Sequence, residues 1–205
     1  MKLNLKFLFA VAGLFASIQS FSQFTYGAKL GLGMSNHTEV HIDSKSRIGL
    51  NGGVVMKYEL GRSYQQFIQG ELLYVSHGEN NGDVKSHVNY ISVPVLYKHY
   101  LTDNDRDFFL EIGPQFSYAI SDKLDPYVIE KNGIVKDTSD NHVLNKFDFG
   151  VAVGFGFSIY RQYEIGLRYN YGFTDSFKHI YTDNGVNNSS LLGLSFTYFF
   201  DSYYY

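Results

Sequence analysis

The residues of this chain that could do chemistry are its histidines, its loop serines and aspartates, and a set of charges set into apolar stretches. Six of the seven histidines, His37, His41, His77, His87, His142 and His179, fall in or beside polar segments, and His99 stands apart. Imidazoles gathered on one rim can capture a divalent metal. His37, His41, His142 and His179 are the candidate ligands. Polar loops carry histidine for no special purpose, however, and only His37 and His41 are closely spaced. The expectation is therefore no bound metal and no cofactor. Serine, histidine and aspartate also recur in these loops, at Ser35, His37, His41, Asp43, Ser86, His87, Asp140 and His142. A hydrolytic site would need a nucleophile, a base and an orienting acid from this set to converge. Spacing alone brings none of them together, so the expectation is a protein that is not an enzyme.

The charges are more informative. Lys98, Glu111 and Arg168 each sit within an alternating stretch, on the face opposite the bulky residues, and Glu71 sits in a blurred one, where Leu73 and Val75 share its face. The clearest such stretch is Phe147 to Tyr160, FDFGVAVGFGFSIY. Phe147, Phe149, Val151, Val153, Phe155, Phe157 and Ile159 alternate with Asp148, Gly150, Ala152, Gly154, Gly156 and Ser158. A period of two is the strand period. A solvent face would carry Lys, Glu and Thr, whereas glycine there loses entropy and packs nothing. A face of Gly, Ala and Ser suits the inside of a narrow barrel, with the bulk turned outward.

Eight stretches show this alternation: Phe24–Ser35, Ile48–Leu60, Gln66–His77, Val88–Leu101, Phe108–Ile120, Phe147–Tyr160, Tyr163–Phe173 and Leu191–Phe200. Each has the length of a tilted membrane-crossing strand. The connections alternate between long and short, which is the pattern of an up-and-down barrel with one plain and one elaborated rim. An eight-stranded barrel is only wide enough to be filled by side chains. Glycines beside long charged chains give such a lumen room, and charges of both signs can pair there. Glu71, Lys98, Glu111 and Arg168 are thus expected to form one paired lumen network, with Lys98 between Glu71 and Glu111.

Composition agrees with this reading. The 205 residues include 18 Tyr, 18 Phe and 20 Gly, with three Pro and no Cys. The absence of cysteine removes disulfides, thiol chemistry, Cys-based zinc sites and a lipidated cysteine. A net charge of −3 gives no case for nucleic acid. The opening MKLNLKFLFAVAGLFASIQSFSQ has Lys2 and Lys6 before an apolar run, then Ser20 and Ser22 at the small positions of a cleavage site. Residues 1–22 are read as a cleaved signal peptide and 23–205 as one domain. The fold class expected is all-β, a closed eight-stranded antiparallel transmembrane barrel in the outer membrane of a Gram-negative cell.

Several motifs resemble the PorT-type family of small outer-membrane β-barrels and, more distantly, the OmpA barrel. They are YISVPVLYKHYL (Tyr90 to Leu101), FLEIGPQFSY (Phe109 to Tyr118), KFDFGVAVGFGFSI (Lys146 to Ile159), EIGLRYNYGFTD (Glu164 to Asp175) and the terminal GLSFTYFF (Gly193 to Phe200). The tail DSYYY after Phe200 departs from the usual aromatic end. The resemblance implies fold and location but no activity. Its members are inserted by the barrel-assembly machinery, and some are tied to protein secretion. The partners expected are outer-membrane lipid and lipopolysaccharide, that machinery, and a surface protein; an accessory role in secretion or transport is the alternative.

Overall fold

Backbone pairing carries the alternation into a closed cylinder. A computed structural model of the chain describes residues 24–37, 45–61, 64–81, 84–124, 128–131, 134–137, 146–174 and 189–200. The segment read as a signal peptide lies outside the described residues. The strands are β1 (Phe24–His37), β2 (Lys45–Glu59), β3 (Gln66–Asn81), β4 (Val84–Tyr100) and β5 (Arg106–Leu124), then β6 (Val128–Lys131), β7 (Ile134–Asp137), β8 (Phe147–Ile159), β9 (Tyr163–Gly172) and β10 (Ser189–Phe199). Around the barrel the order is β1-β10-β9-β8-β5-β4-β3-β2, and every neighbouring pair is antiparallel. Pairing of β1 with β10, from Gly27↔Phe199 to His37↔Ser189, closes the sheet. The eight strands of the barrel leave no free edge among the described residues, and most of their backbone groups find partners without water.

The bulk points outward. Leu30, Leu50, Val54, Leu72, Leu110, Phe155, Ile165 and Leu194 are exposed, and Phe155 is 57% accessible. Gly154, beside it, is enclosed: a Cβ there would stand 2.8 Å from Glu111 Oε1 and 3.0 Å from the Leu167 carbonyl oxygen. A Cβ at Gly156 would collide with the Phe109 ring and the Ile165 carbonyl. The small face of β8 therefore makes room for side chains that reach in from β5.

Two connections differ from the expected loops. Between β3 and β4 the ladder runs on through Gly78↔His87 to Asn81↔Val84. The sequence there is mostly polar, so it lacks the apolar alternation that marks the rest of these strands. Within the stretch 121–145, β6 and β7 pair as a separate two-stranded sheet. The register runs from Val128↔Asp137 to Lys131↔Ile134, and the sequence between the strands is Asn-Gly, a strong hairpin signal.

Candidate functional site

The inward positions place a dense ionic and aromatic plug in the half of the lumen nearer the short turns. Glu164 is the second residue of β9, while Lys57 and Lys98 lie within three residues of the ends of β2 and β4. Arg168 is its centre. Its Nη1 and Nη2 donate to the two oxygens of Glu71 at 2.7 and 2.8 Å, and its Nε donates to Glu111 Oε1 at 2.7 Å. Lys29 adds a 2.6 Å bond to Glu71 Oε1, and Gln69 Nε2 donates to the same oxygen. Charge-assisted and two-pronged bonds of this kind are the strong ones.

Below them, Lys98 donates to Glu164 at 2.7 Å and stands 3.7 Å from Glu111. Tyr100 donates its hydroxyl hydrogen to Glu164. Lys57 lies 4.0 Å from Glu164, and its ammonium sits 3.8 Å from the Phe199 ring centroid, with Phe67 and Tyr100 on other sides. Phe67, Tyr100 and Phe109 form a buried aromatic cluster around these cations. Rings offer their faces to a cation where water is excluded. Lys98 is 0% exposed, so these charges persist only because each is paired.

The short-turn mouth is closed by Arg161. Tyr160 and Arg161 take positive φ values of 53° and 49°, which turn β8 into β9 within three residues. The guanidinium then crosses the opening. It donates to the Tyr64 carbonyl, to the Thr102 carbonyl at 3.1 Å and to Asp103 Oδ1 at 3.0 Å, and lies 3.7 Å from Asp107. Lys57 donates to the Arg161 carbonyl oxygen at 2.9 Å. One side chain thereby ties together all three short turns.

Residues 15–178 match the family model described as the outer membrane protein beta-barrel domain. The chain belongs to this family. It is an outer-membrane β-barrel, and the matched description is the broad family rather than a PorT-type group within it. The crystal structure of the outer membrane enzyme PagL superposes with a TM-score of 0.52 at 11% identity, covering 85% of this chain and 98% of that one. Neisserial surface protein A gives 0.49 at 11% identity over 86% and 97%, and Ail of Yersinia pestis 0.47 at 13% over 87% and 99%. At 11% identity the likeness to PagL is one of fold. Among curated proteins no sequence matches the chain.

In outer-membrane barrels the short turns are periplasmic and the longer loops extracellular. The plug of this barrel thus occupies the periplasmic half. The outer half mixes polar contacts with apolar packing: the Ser92 and Ser117 hydroxyls lie 3.0 Å apart, Asp148 accepts from Ser189 at 2.7 Å, and Leu73, Val75 and Leu191 form a buried cluster. Of the four charges expected to pair, the structure brings Arg168, Glu71 and Glu111 into direct contact. Lys98 is placed differently from the expectation: it turns to Glu164 and Glu111, and Arg168 and Lys29 serve Glu71 instead. Lys29, Lys57 and Glu164 share the inward parity of the four, which places them on the lumen face in the sequence, and the structure adds them to the network. His41, His142 and His179 lie outside the described residues, as does the side chain of His37 at the end of β1. Among the described residues no group of three or more His, Asp or Glu could hold a metal ion.

Proposed function

We propose that this barrel is a closed, non-enzymatic outer-membrane protein that conducts nothing and holds its extracellular loops for contact with surface partners. The observation that carries the reading is the ion-pair network from Lys29 through Glu71, Arg168, Glu111 and Lys98 to Glu164, which crosses the lumen from β1 and β3 to β9, β5 and β4. Opening a channel there would strip buried charges of their partners, at a cost of about 3–5 kcal/mol for each pair broken. A rigid wall under long polar connections suits a presenting role, and the resemblance to PorT-type barrels makes a secretion-assembly protein the alternative partner. PagL is titled an enzyme, but the likeness to it is of fold, and fold does not carry activity.

Planar-bilayer recording tests the closed lumen: the purified protein should show no steady porin-sized conductance, and a stable large conductance would overturn the reading. Incubation with lipopolysaccharide and phospholipid tests the absence of activity. Released fatty acid, lost on substitution of a loop serine or histidine, would make it an enzyme.

A further inference from the structure

Two of the chain's three prolines stand in the middle of neighbouring barrel strands. Pro94 lies in β4 and Pro114 in β5, within the motifs YISVPVLYKHYL and FLEIGPQFSY. Proline has no N–H to give a ladder and is ordinarily kept to edges and bulges. A closed barrel offers no edge. The pairing shows the consequence. β3 and β4 hold one register through Gly70↔Val95 and Leu73↔Ser92, yet the two pairs between, Glu71 with Pro94 and Leu72 with Val93, are missing. β4 and β5 hold one register through Pro94↔Gln115 and Tyr97↔Ile112, and there Val95 with Pro114 and Leu96 with Gly113 are missing. Pro94 keeps its partner on β5, and Pro114 keeps Val151 on β8, so each ring faces a gap. The ladders that join β5, β8, β9, β10, β1 and β2 run without such a break.

The gaps lie on opposite sides of β4 and follow one another directly. From Val93 to Leu96, each residue of that strand is unpaired on one side or the other. Val93 and Val95 are exposed on the apolar outer face, while Pro94 and Leu96 are buried. Within hydrocarbon, a carbonyl that faces a proline ring has no water to turn to. Strand separation therefore breaks fewest bonds in this sector.

The ion pairs of the plug are placed to compensate. Glu71 stands across from Pro94, and Lys98 pairs with Glu111 just beyond the second gap. Their side chains hold Arg168 and Glu164, both on β9, whose ladders are whole. All three weakened strands are thus bound through the lumen to sound wall. Directly inside the gaps, Leu73, Ser92 and Gln115 border a small cavity.

We propose that this sector is a lateral seam: β4 parts from its neighbours over Val93–Leu96 and opens the cavity sideways to the bilayer, with the ion pairs of Glu71, Lys98 and Glu111 as its latch. The opening makes no path along the barrel axis, because Arg161 keeps the short-turn mouth shut. Conductance therefore reports on the closed lumen and not on the seam.

Amide exchange of the protein in phospholipid nanodiscs tests the seam. The amides of Glu71, Val93 and Val95 should exchange about three- to tenfold faster than those of Ile165, Leu167 and Tyr169, the change that one lost hydrogen bond makes in a local opening constant. Pro94→Ala supplies the missing N–H and should slow the three amides; Pro114→Ala is the second variant where the first does not assemble. Lys98→Met should quicken them. Exchange as slow as in β9, or unchanged in both alanine variants, would overturn the seam. Exchange unchanged in Lys98→Met would overturn the latch. Labelling reads the direction. The chain has no cysteine, so Ser92→Cys gives a single thiol at a buried position beside the gap. A maleimide carried in the lipid should modify it, and more slowly once Pro94→Ala is added. A thiol left unmodified, or reached only by a water-soluble maleimide, would overturn the sideways opening.

Discussion

Arg168 and Glu71 are 97 residues apart in sequence and meet across the lumen through two parallel bonds of 2.7 and 2.8 Å. They come from β9 and β3, which are not neighbours in the sheet, so the bond spans the barrel rather than running along its wall. Glu111 and Lys29 join the same pair from β5 and β1, at 2.7 and 2.6 Å. Four of the eight barrel strands are thereby pinned at one level.

Arg168→Met is expected to be the most damaging single change in the plug. It strips both Glu71 and Glu111 of a direct partner at once and should lower stability by about 3–5 kcal/mol. Lys98→Met should cost less, because Glu111 keeps Arg168 and Glu164 keeps Lys57 and Tyr100. Urea unfolding followed by the heat-modifiable gel shift ranks the two. Equal losses would mean that the network does not divide as the contacts indicate.

Gly154→Leu should overpack the lumen against Glu111 and the Leu167 carbonyl and cost about 1–3 kcal/mol or block assembly. Phe155→Leu, one residue along and facing outward, should stay within about 0.5 kcal/mol, as exposed substitutions generally do. Refolding yield into lipid vesicles reads both, and a reversed order would refute the facing of β8.

Arg161→Ala removes the clasp that joins the three short turns. Amide exchange at Thr102, whose N–H is held by Asp107, should then quicken, while amides in mid-strand keep their protection. Exchange followed by mass spectrometry checks this; unchanged turns would mean that each is held by its own strands.

Replacing residues 125–145 with a short Gly-Ser linker should leave the barrel able to fold. The β6–β7 pair forms its own sheet and adds no strand to the closed one. A normal heat-modifiable band from the shortened protein is the expected result. Failure to insert would show that the segment takes part in closure.

The strands and their facing were legible in the sequence because both follow from a period of two, which most strands display alone; in Gln66–His77 Leu73 and Val75 share the face of Glu71 and blur it. Phe147 to Ile159 declares an outward face of bulk and an inward face of glycine without reference to any neighbour. Count and closure followed from eight such stretches with alternating connections. Only the tertiary structure decided which inward charges meet. Parity says that Lys98 points inward but not how high it stands relative to Glu71 or Glu164; the stagger between strands sets that, and stagger is a property of the closed barrel. Hence the move of Lys98 from Glu71 to Glu164, and the entry of Lys29 and Lys57 into a network expected to hold four residues. The extension of the β3–β4 ladder to Asn81↔Val84 was equally hidden, because backbone pairing itself leaves no apolar pattern in a polar sequence. Sequence determined which face each side chain takes; the register of strands distant in the chain determined its partner.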